Sequence, residues 1–321
     1  MSSYPEISVV IPAYNEQENL PNLLDRIIPS MEKLNRTFEI VIVNDGSRDN
    51  SFSILSDYHQ KFPQYLHIVD FQGNFGQHMA IMAGFEQAKG DIVVTLDADL
   101  QNPPEEIYKL IEKIDGGFDY VGSYRQSRED SFFRHYCSKI INWVREIITD
   151  IKMKDHGCML RAYKSHIIEK IVASGERSAF IPALAYKYAT NPTEVEVRHE
   201  ERAAGESKYN LYSLIRLNFD LVTGFSLVPL QVFTLFGLLV SFLSGLLVVY
   251  LVGRRLIIGP EVEGVFTLFA IAIFLISVAL VGIGLVGEYL GRIFQNLSNR
   301  PRYVIRTHLK PQESKKKLTK N

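Results

Sequence analysis

Cysteine is nearly missing from this chain. Cys137 and Cys158 are the only two, too few for a disulfide framework and without the paired spacing of a zinc site, so both are read as reduced structural residues. No G-x-G-x-x-G follows the first apolar run, which argues against a dinucleotide dehydrogenase, and no G-x-x-x-x-G-K-[ST] occurs, which argues against a P-loop nucleotidase. Internal repeats are absent, and low complexity is confined to the lysine-rich end. The opening MSSYPEISVVIPAYNE has no basic stretch ahead of an apolar core and no small-residue cleavage site, so it is not read as a secretory signal.

Apolar residues, by contrast, are plentiful, at 46% of the 321 positions. Two runs, Leu227 to Val252 and Val265 to Gly287, hold no charged residue. Each reaches the roughly 20 residues that a helix needs to cross a hydrocarbon core, so the chain is read as integral to a membrane. The N-terminal part is expected in the cytosol, and an even number of spans returns the C-terminus to the same side. There Arg300, Arg302, Arg306, Lys310, Lys315, Lys316, Lys317 and Lys320 satisfy the positive-inside rule, outnumbering Arg254 and Arg255 in the short outer loop. The basic tail either lies on anionic headgroups or is solvated. Leu211, Leu214, Ile215, Leu221 and Val222 share one helical face, which suits a helix on the membrane surface or one packed on the soluble part.

Ahead of the spans, β-branched runs at Ile7 to Ile11, Glu39 to Val43, Leu66 to Phe71 and Ile92 to Leu96 alternate with helical periodicity over Glu18 to Leu34, Ser51 to Phe62 and Gly76 to Ala88. That rhythm predicts an α/β domain, a mostly parallel sheet with helices on both faces, whose ligands bind beyond the carboxyl ends of the strands. A further short strand is expected at Thr193 to Val197, followed by a polar loop, HEERAAGESKYN.

Three strand ends are polar: Pro12 to Glu16, Asn44 to Ser47, and Asp97 to Gln101. If the backbone of TLDADLQ stays extended, Asp97, Asp99 and Gln101 face one way, and hard oxygen ligands in that array suit Mg²⁺ or Mn²⁺. A lone D-x-D is also an ordinary strand end, with Asn102, Pro103 and Pro104 turning into a helix. Asp45 followed by Gly46 is by itself an ordinary turn. Arg125, Arg128 and Arg134 suit paired hydrogen bonds to phosphate, and equally a surface drawn to anionic lipid.

VVIPAYNE, VNDGS, a D-A-D ahead of a proline-containing helix and a later RAAGESKY together resemble the family-2 glycosyltransferases of A-type fold. Within these the chain is similar to the polyprenyl-phosphate sugar transferases, the group of dolichol-phosphate mannose synthases and bacterial undecaprenyl-phosphate glucosyltransferases. The likeness covers about Glu6 to Lys208, and two C-terminal spans match the bacterial glucosyltransferase branch. It implies that Pro12, Ala13, Tyr14, Glu16, Asp45 and Ala98 hold the nucleotide sugar. Asp97, Asp99 and Gln101 would surround the metal and diphosphate, with Arg125, Arg134 and Ser138 at the acceptor phosphate. Arg202 and Lys208 would close over the donor phosphates. Asp155 matches an acidic position near the acceptor. A phosphate monoester, with its second pKa of about 6, is already mostly dianionic at neutral pH, so Asp155 is expected to orient groups more than to remove a proton.

The resulting expectation is a metal-dependent, inverting transfer of one sugar to polyprenyl phosphate in a bacterial inner or plasma membrane. UDP-glucose is the first donor expected; GDP-mannose or an aminoarabinose derivative is the alternative. A homo-oligomer is implied and nucleic acid is not. Four-residue spacing of Gly237, Ser241 and Gly245, and of Gly287 and Gly291, permits close helix packing within or between subunits. The parts are a cytosolic domain at 1–208, a juxtamembrane helix at 209–225, two spans within 226–291 and a basic tail at 292–321. A processive polysaccharide synthase lacks support because two spans are few for a channel and no Q-x-x-R-W occurs. A non-catalytic sensor of sugar nucleotides would not need metal ligands and acceptor arginines together.

Overall fold

The computed structural model describes residues 4–125, 153, 155, 158–175, 180–200, 227–259, 265–297 and 301–311. They fall into two units. One holds the sheet domain and the segment after residue 299, and the other holds the two long apolar helices.

In the first unit β1 (Ile7–Ala13), β2 (Phe38–Asn44), β3 (Leu66–Phe71) and β4 (Ile92–Thr95) are parallel, with β1 between β2 and β4 and β3 outside β2. Every residue of these four strands is buried, as continuous β-branched runs require when helices cover both faces. Some of the polar exceptions are satisfied internally. Ser8 donates to Glu39, and the Lys89 and Gly90 N–H groups donate to that pair. The connecting helices are α1 (Leu20–Glu32), α2 (Ser51–Lys61) and α3 (Gln77–Gln87), each within two residues of its expected bounds. Helix α1 buries Leu20, Leu23, Leu24, Ile27, Ile28 and Met31, one apolar stripe at helical spacing.

After β4 a short 3₁₀ turn leads into α4 (Ile107–Asp115) and then β5 (Tyr120–Arg125). The order continues through β6 (Arg161–Lys164), α5 (Ser165–Ser174), α6 (Ile181–Tyr188) and β7 (Pro192–Val197). Strand β6 lies antiparallel between β4 and β5, and β7 runs parallel to β5. The last strand, β8 (Ile305–Leu309), pairs antiparallel with β3, giving the order β7-β5-β6-β4-β1-β2-β3-β8. Strands β5, β6 and β8 were not expected from sequence, and β8 takes up part of the basic tail that was expected on anionic headgroups or in solvent.

The second unit contains α7 (Val228–Ile258) and α8 (Val265–Leu297). Spans within them, Val228–Ile258 and Ile271–Gly291, have mean hydropathy 2.5 and 2.4 and stay almost wholly exposed. Exposed apolar surface on that scale is not that of a soluble-core helix, and both are long enough to cross a bilayer. Helix α7 runs through Arg254 and Arg255, which therefore stand in its last turns and not in a loop. Helix α8 continues six residues past the expected end of the span, to Leu297. Within the single chain the expected glycine seam is not where the pair meets: a Cβ added at Gly237, Gly245, Gly287 or Gly291 would touch nothing, whereas at Gly282 it would lie 2.3 Å from Phe233 Cε1. The expected juxtamembrane helix at 209–225 lies outside the described residues.

Candidate active site

The carboxyl ends of β1, β2 and β4 are neighbours in the sheet, and the polar segments that follow them are laced together by hydrogen bonds. Pro12 and Ala13 complete β1 and are buried, while Tyr14 and Glu16 are half-buried in the turn beyond. Asn15 holds a left-handed φ of 56°, a conformation asparagine tolerates better than most residues. Its N–H donates to Ser47 Oγ at 2.9 Å and its Oδ1 accepts from the Arg48 N–H at 2.9 Å. The Glu16 N–H donates to Ser51 Oγ at 2.9 Å, and the Glu16 carboxylate accepts from Asn19 at 2.6 Å.

Asp45 follows β2, is buried, and donates its N–H to the Ala13 carbonyl. Its two carboxylate oxygens accept the N–H groups of Phe75 (2.7 Å) and Gly76 (2.9 Å). Burial pushes the Asp45 carboxyl above the usual carboxylate range, and those two N–H groups oppose the shift. Asp45 thus shapes the loop between β3 and α3 while each oxygen keeps a lone pair for another donor. The next residue, Gln77, opens α3 and donates its Nε2 to Asp97 Oδ1 at 2.8 Å. Adjacent residues Gly76 and Gln77 therefore connect Asp45 to Asp97, a contact no local sequence pattern announces.

Gly46 makes the close approach of these loops possible. Its φ is 65°, and a Cβ there would lie 2.2 Å from the carbonyl carbon of Gly73. Gly46→Ala combines a left-handed penalty of ~1–2 kcal/mol with overlap costing another ~1–3 kcal/mol. A lowered melting temperature in detergent is the expected result, and an unchanged one would show that the loops separate freely.

Strand β4 stops at Thr95, and Asp97 to Gln101 form a turn with Leu100 at a left-handed φ of 62°. The extended alternation expected to aim Asp97, Asp99 and Gln101 one way does not exist, because β4 ends at Thr95 and the backbone turns at residues 98–99 before the left-handed Leu100. Asp97 is half-buried and Asp99 is 8% exposed. Asp99 Oδ1 accepts from the Gln101 N–H at 3.2 Å, and the Gln101 carbonyl accepts from the Glu200 N–H at 2.9 Å. Gln101 thus contributes main-chain contacts that shape the turn. Ala98 packs into the core beneath. Among the described residues no three His, Cys, Asp or Glu side chains converge on a metal position. A bulky residue held in the left-handed region is the kind of strain that collects at functional sites.

Asp155 is half-buried, and its carbonyl accepts from Arg161 Nη2 at 2.8 Å. Arg161 is fully buried, donates Nε to the Cys158 carbonyl at 2.8 Å, and donates Nη1 to the Tyr120 hydroxyl. Cys158 is a free, buried thiol, pushed up from its ordinary pKa by that burial, against Ser123 Oγ and Asn102 Oδ1. Thr95 Oγ1 also donates to the Met159 carbonyl at 2.6 Å. The Asp155 segment is thereby tied to both ends of the Asp97–Asp99 turn. Arg125 closes β5, while Arg128, Arg134, Ser138, Arg202 and Lys208 lie outside the described residues. Glu200, two residues before Arg202, is fixed by its bond to Gln101 and by Arg26, which pairs with Glu105 at 2.8 Å and Glu200 at 3.0 Å.

Comparison with known proteins adds three findings. Residues 8–172 match the model for "Glycosyl transferase family 2". An undecaprenyl-phosphate 4-deoxy-4-formamido-L-arabinose transferase of Edwardsiella ictaluri is 47% identical over 301 residues, 93% of this chain and 93% of its own. The protein of the same name from Serratia proteamaculans is 48% identical over 302 residues, 94% of this chain and 93% of its own. A mycobacterial protein of known crystal structure is similar in fold, with a TM-score of 0.50 and 17% identity over 68% of this chain and 73% of its own.

Proposed function

The chain belongs to glycosyl transferase family 2, and on that premise we propose that it moves one sugar from a nucleotide diphosphate donor to the phosphate of undecaprenyl phosphate. The sugar we assign is 4-deoxy-4-formamido-L-arabinose, carried on uridine diphosphate. Relatives at 47% and 48% identity over nine-tenths of the chain bear that name, which sets the first expectation of UDP-glucose behind it. The main structural support is the junction at the carboxyl edge of the sheet, where Asp45 grips Gly76 and the next residue, Gln77, holds Asp97.

In this scheme Pro12, Ala13, Tyr14, Glu16 and Asp45 hold the nucleoside, and Ala98 floors the diphosphate. Asp97 and Asp99 offer hard oxygen donors on one turn, a set that fits a divalent ion keeping the rest of its shell for phosphate and water. Mg²⁺ or Mn²⁺ held there would neutralise charge on the departing diphosphate. Arg125, Arg134 and Ser138 bind the acceptor phosphate, whose oxygen attacks the anomeric carbon opposite the leaving group and inverts it. Arg202 and Lys208 close over the donor. Asp155 orients the acceptor side, since a dianionic phosphate needs no base. Positioning and electrostatic stabilisation then supply most of the rate.

In our reading both termini lie in the cytosol; the pairing of β8, from beyond the two helices, with β3 supports the two flanking segments being on one side of the membrane, as an even number of crossings requires. The test is transfer by the full-length protein in detergent, with short polyprenyl phosphate, Mg²⁺ and each of UDP-4-deoxy-4-formamido-L-arabinose, UDP-glucose and GDP-mannose. Mass spectrometry should find a single formamido-arabinose per lipid. Polymer would instead mark a processive synthase. No product from any donor would leave only a sensor of sugar nucleotides.

A further inference from the structure

Strand β8 is built from chain downstream of both long helices, yet it completes the sheet of the first unit. Ile68 stands opposite Leu309 and Phe71 opposite Ile305. Side chains seal the pairing. His67 and His308 stack with centroids 4.7 Å apart, and Tyr303 stacks on Phe71 at 4.8 Å while its hydroxyl donates to Glu86. Burial holds His67 down at about 4, so it meets its partner ring as neutral imidazole at neutral pH.

Arg306 of β8 reaches the candidate donor site by two routes. Its Nη2 donates to the Gln72 carbonyl at 2.9 Å, at the start of the loop whose Phe75 and Gly76 N–H groups hold Asp45. Its Nη1 lies 3.7 Å from Oδ2 of Asp70, a residue 1% exposed. That oxygen accepts no hydrogen bond, so Arg306 supplies the positive charge a buried carboxylate needs. Asp70 Oδ1 accepts from Asn44 Nδ2 at 2.7 Å, Asn44 Oδ1 accepts from the Ser47 hydroxyl, and Ser47 Oγ accepts from the Asn15 N–H. The series ends in the Tyr14–Glu16 turn, where Asn15 is left-handed and depends on such contacts.

We propose that β8 is a positioning element of the donor site, with Arg306 acting through Asp70 and the Gln72 carbonyl to set the Asn15 turn and the 72–76 loop. The donor pocket is then complete only once the chain has passed through both membrane helices and returned. This rests on the assignment of those loops to the donor nucleotide.

The experiment compares full-length wild type, Arg306→Ala and Arg306→Lys by UDP titration calorimetry with Mn²⁺, by amide hydrogen exchange, and by kinetics in donor and acceptor. Arg306→Ala should raise the UDP Kd and the donor KM roughly tenfold, the loss a charge-assisted hydrogen bond implies. It should also speed exchange at Asn15, Phe75 and Gly76 and leave the acceptor KM at its wild-type value. Arg306→Lys, which keeps a charge and a donor, should recover most of the affinity. Wild-type affinity and exchange in Arg306→Ala would overturn the positioning role while glycosyl transfer itself stood. Equal losses for donor and acceptor, with a lowered melting temperature, would make β8 merely structural and would also overturn it. If Arg306→Ala does not fold, Arg306→Gln, which still donates to Gln72 but carries no charge, should weaken UDP about threefold; unchanged binding sinks the proposal. A wild type that binds no UDP overturns the donor-site assignment and this role with it.

Discussion

Asp99→Asn should lower sugar transfer on the order of a thousandfold while the protein stays folded, the scale of losing charge stabilisation aimed at a leaving group. The substitution is nearly isosteric and keeps the oxygen that accepts the Gln101 N–H at 3.2 Å. The turn that carries Leu100 in its left-handed conformation therefore retains its internal bond. What disappears is one negative charge from a side chain only 8% exposed, where a carboxylate is worth more to a divalent cation than it would be in water. Chelation should give wild type the same defect, and added Mn²⁺ should restore wild type but not the variant. Full transfer by Asp99→Asn in excess chelator would remove the metal from the scheme, whatever becomes of the lipid acceptor.

The strands that carry this edge were legible because parallel strands covered on both faces are written as mostly apolar, β-branched runs, and ISVVIPA and FEIVIVN are such runs, interrupted only by Ser8, Glu39 and Asn44. The D-A-D was legible as chemistry and not as geometry. Its residue types named hard ligands, but β4 ends at Thr95 and the backbone turns at residues 98–99 into a left-handed Leu100, a conformation that its side chain does not advertise. Strands β6 and β8, RAYK and IRTHL, are four and five residues long and each contains an arginine. Their strand character comes from the partners they meet, β4 and β3, and short polar segments carry little propensity of their own. Gln77 and Arg306 were invisible as site residues because each acts across a long sequence separation, and Arg161 because its hold on the nearby Cys158 and Asp155 carbonyls depends on the burial that the fold gives it. Gly282 was missed because spacing proposes a seam, whereas only packing against Phe233 shows which glycine lies in it.

Arg161→Met tests how far the Asp155 segment depends on one buried cation. Two effects oppose each other. Removing a charge from a fully buried site relieves its desolvation, and apolar replacements of buried ion pairs are sometimes neutral or stabilising. Those cases remove the partner charges as well. Here the partners are the Cys158 and Asp155 carbonyls, each 2.8 Å from a guanidinium nitrogen, and the Tyr120 hydroxyl, and all of them stay behind. Methionine fills a similar volume and donates nothing. Each deserted buried acceptor costs about 1–3 kcal/mol, so a loss of about 4 kcal/mol or more is expected, a large part of the ~5–15 kcal/mol that holds an ordinary domain folded. Stability loss therefore wins, and the melting temperature should fall sharply. Arg161→Lys keeps the charge, but a compact ammonium cannot span carbonyls three residues apart, so its fold should survive with a loosened Asp155 segment. In that variant kcat should fall while UDP affinity holds, because the Asp45 and Gln77 contacts lie on the other side of the Asp97–Asp99 turn. A methionine variant that melts with wild type would mean the two carbonyls find other donors, and Arg161 would then have no hold on Asp155.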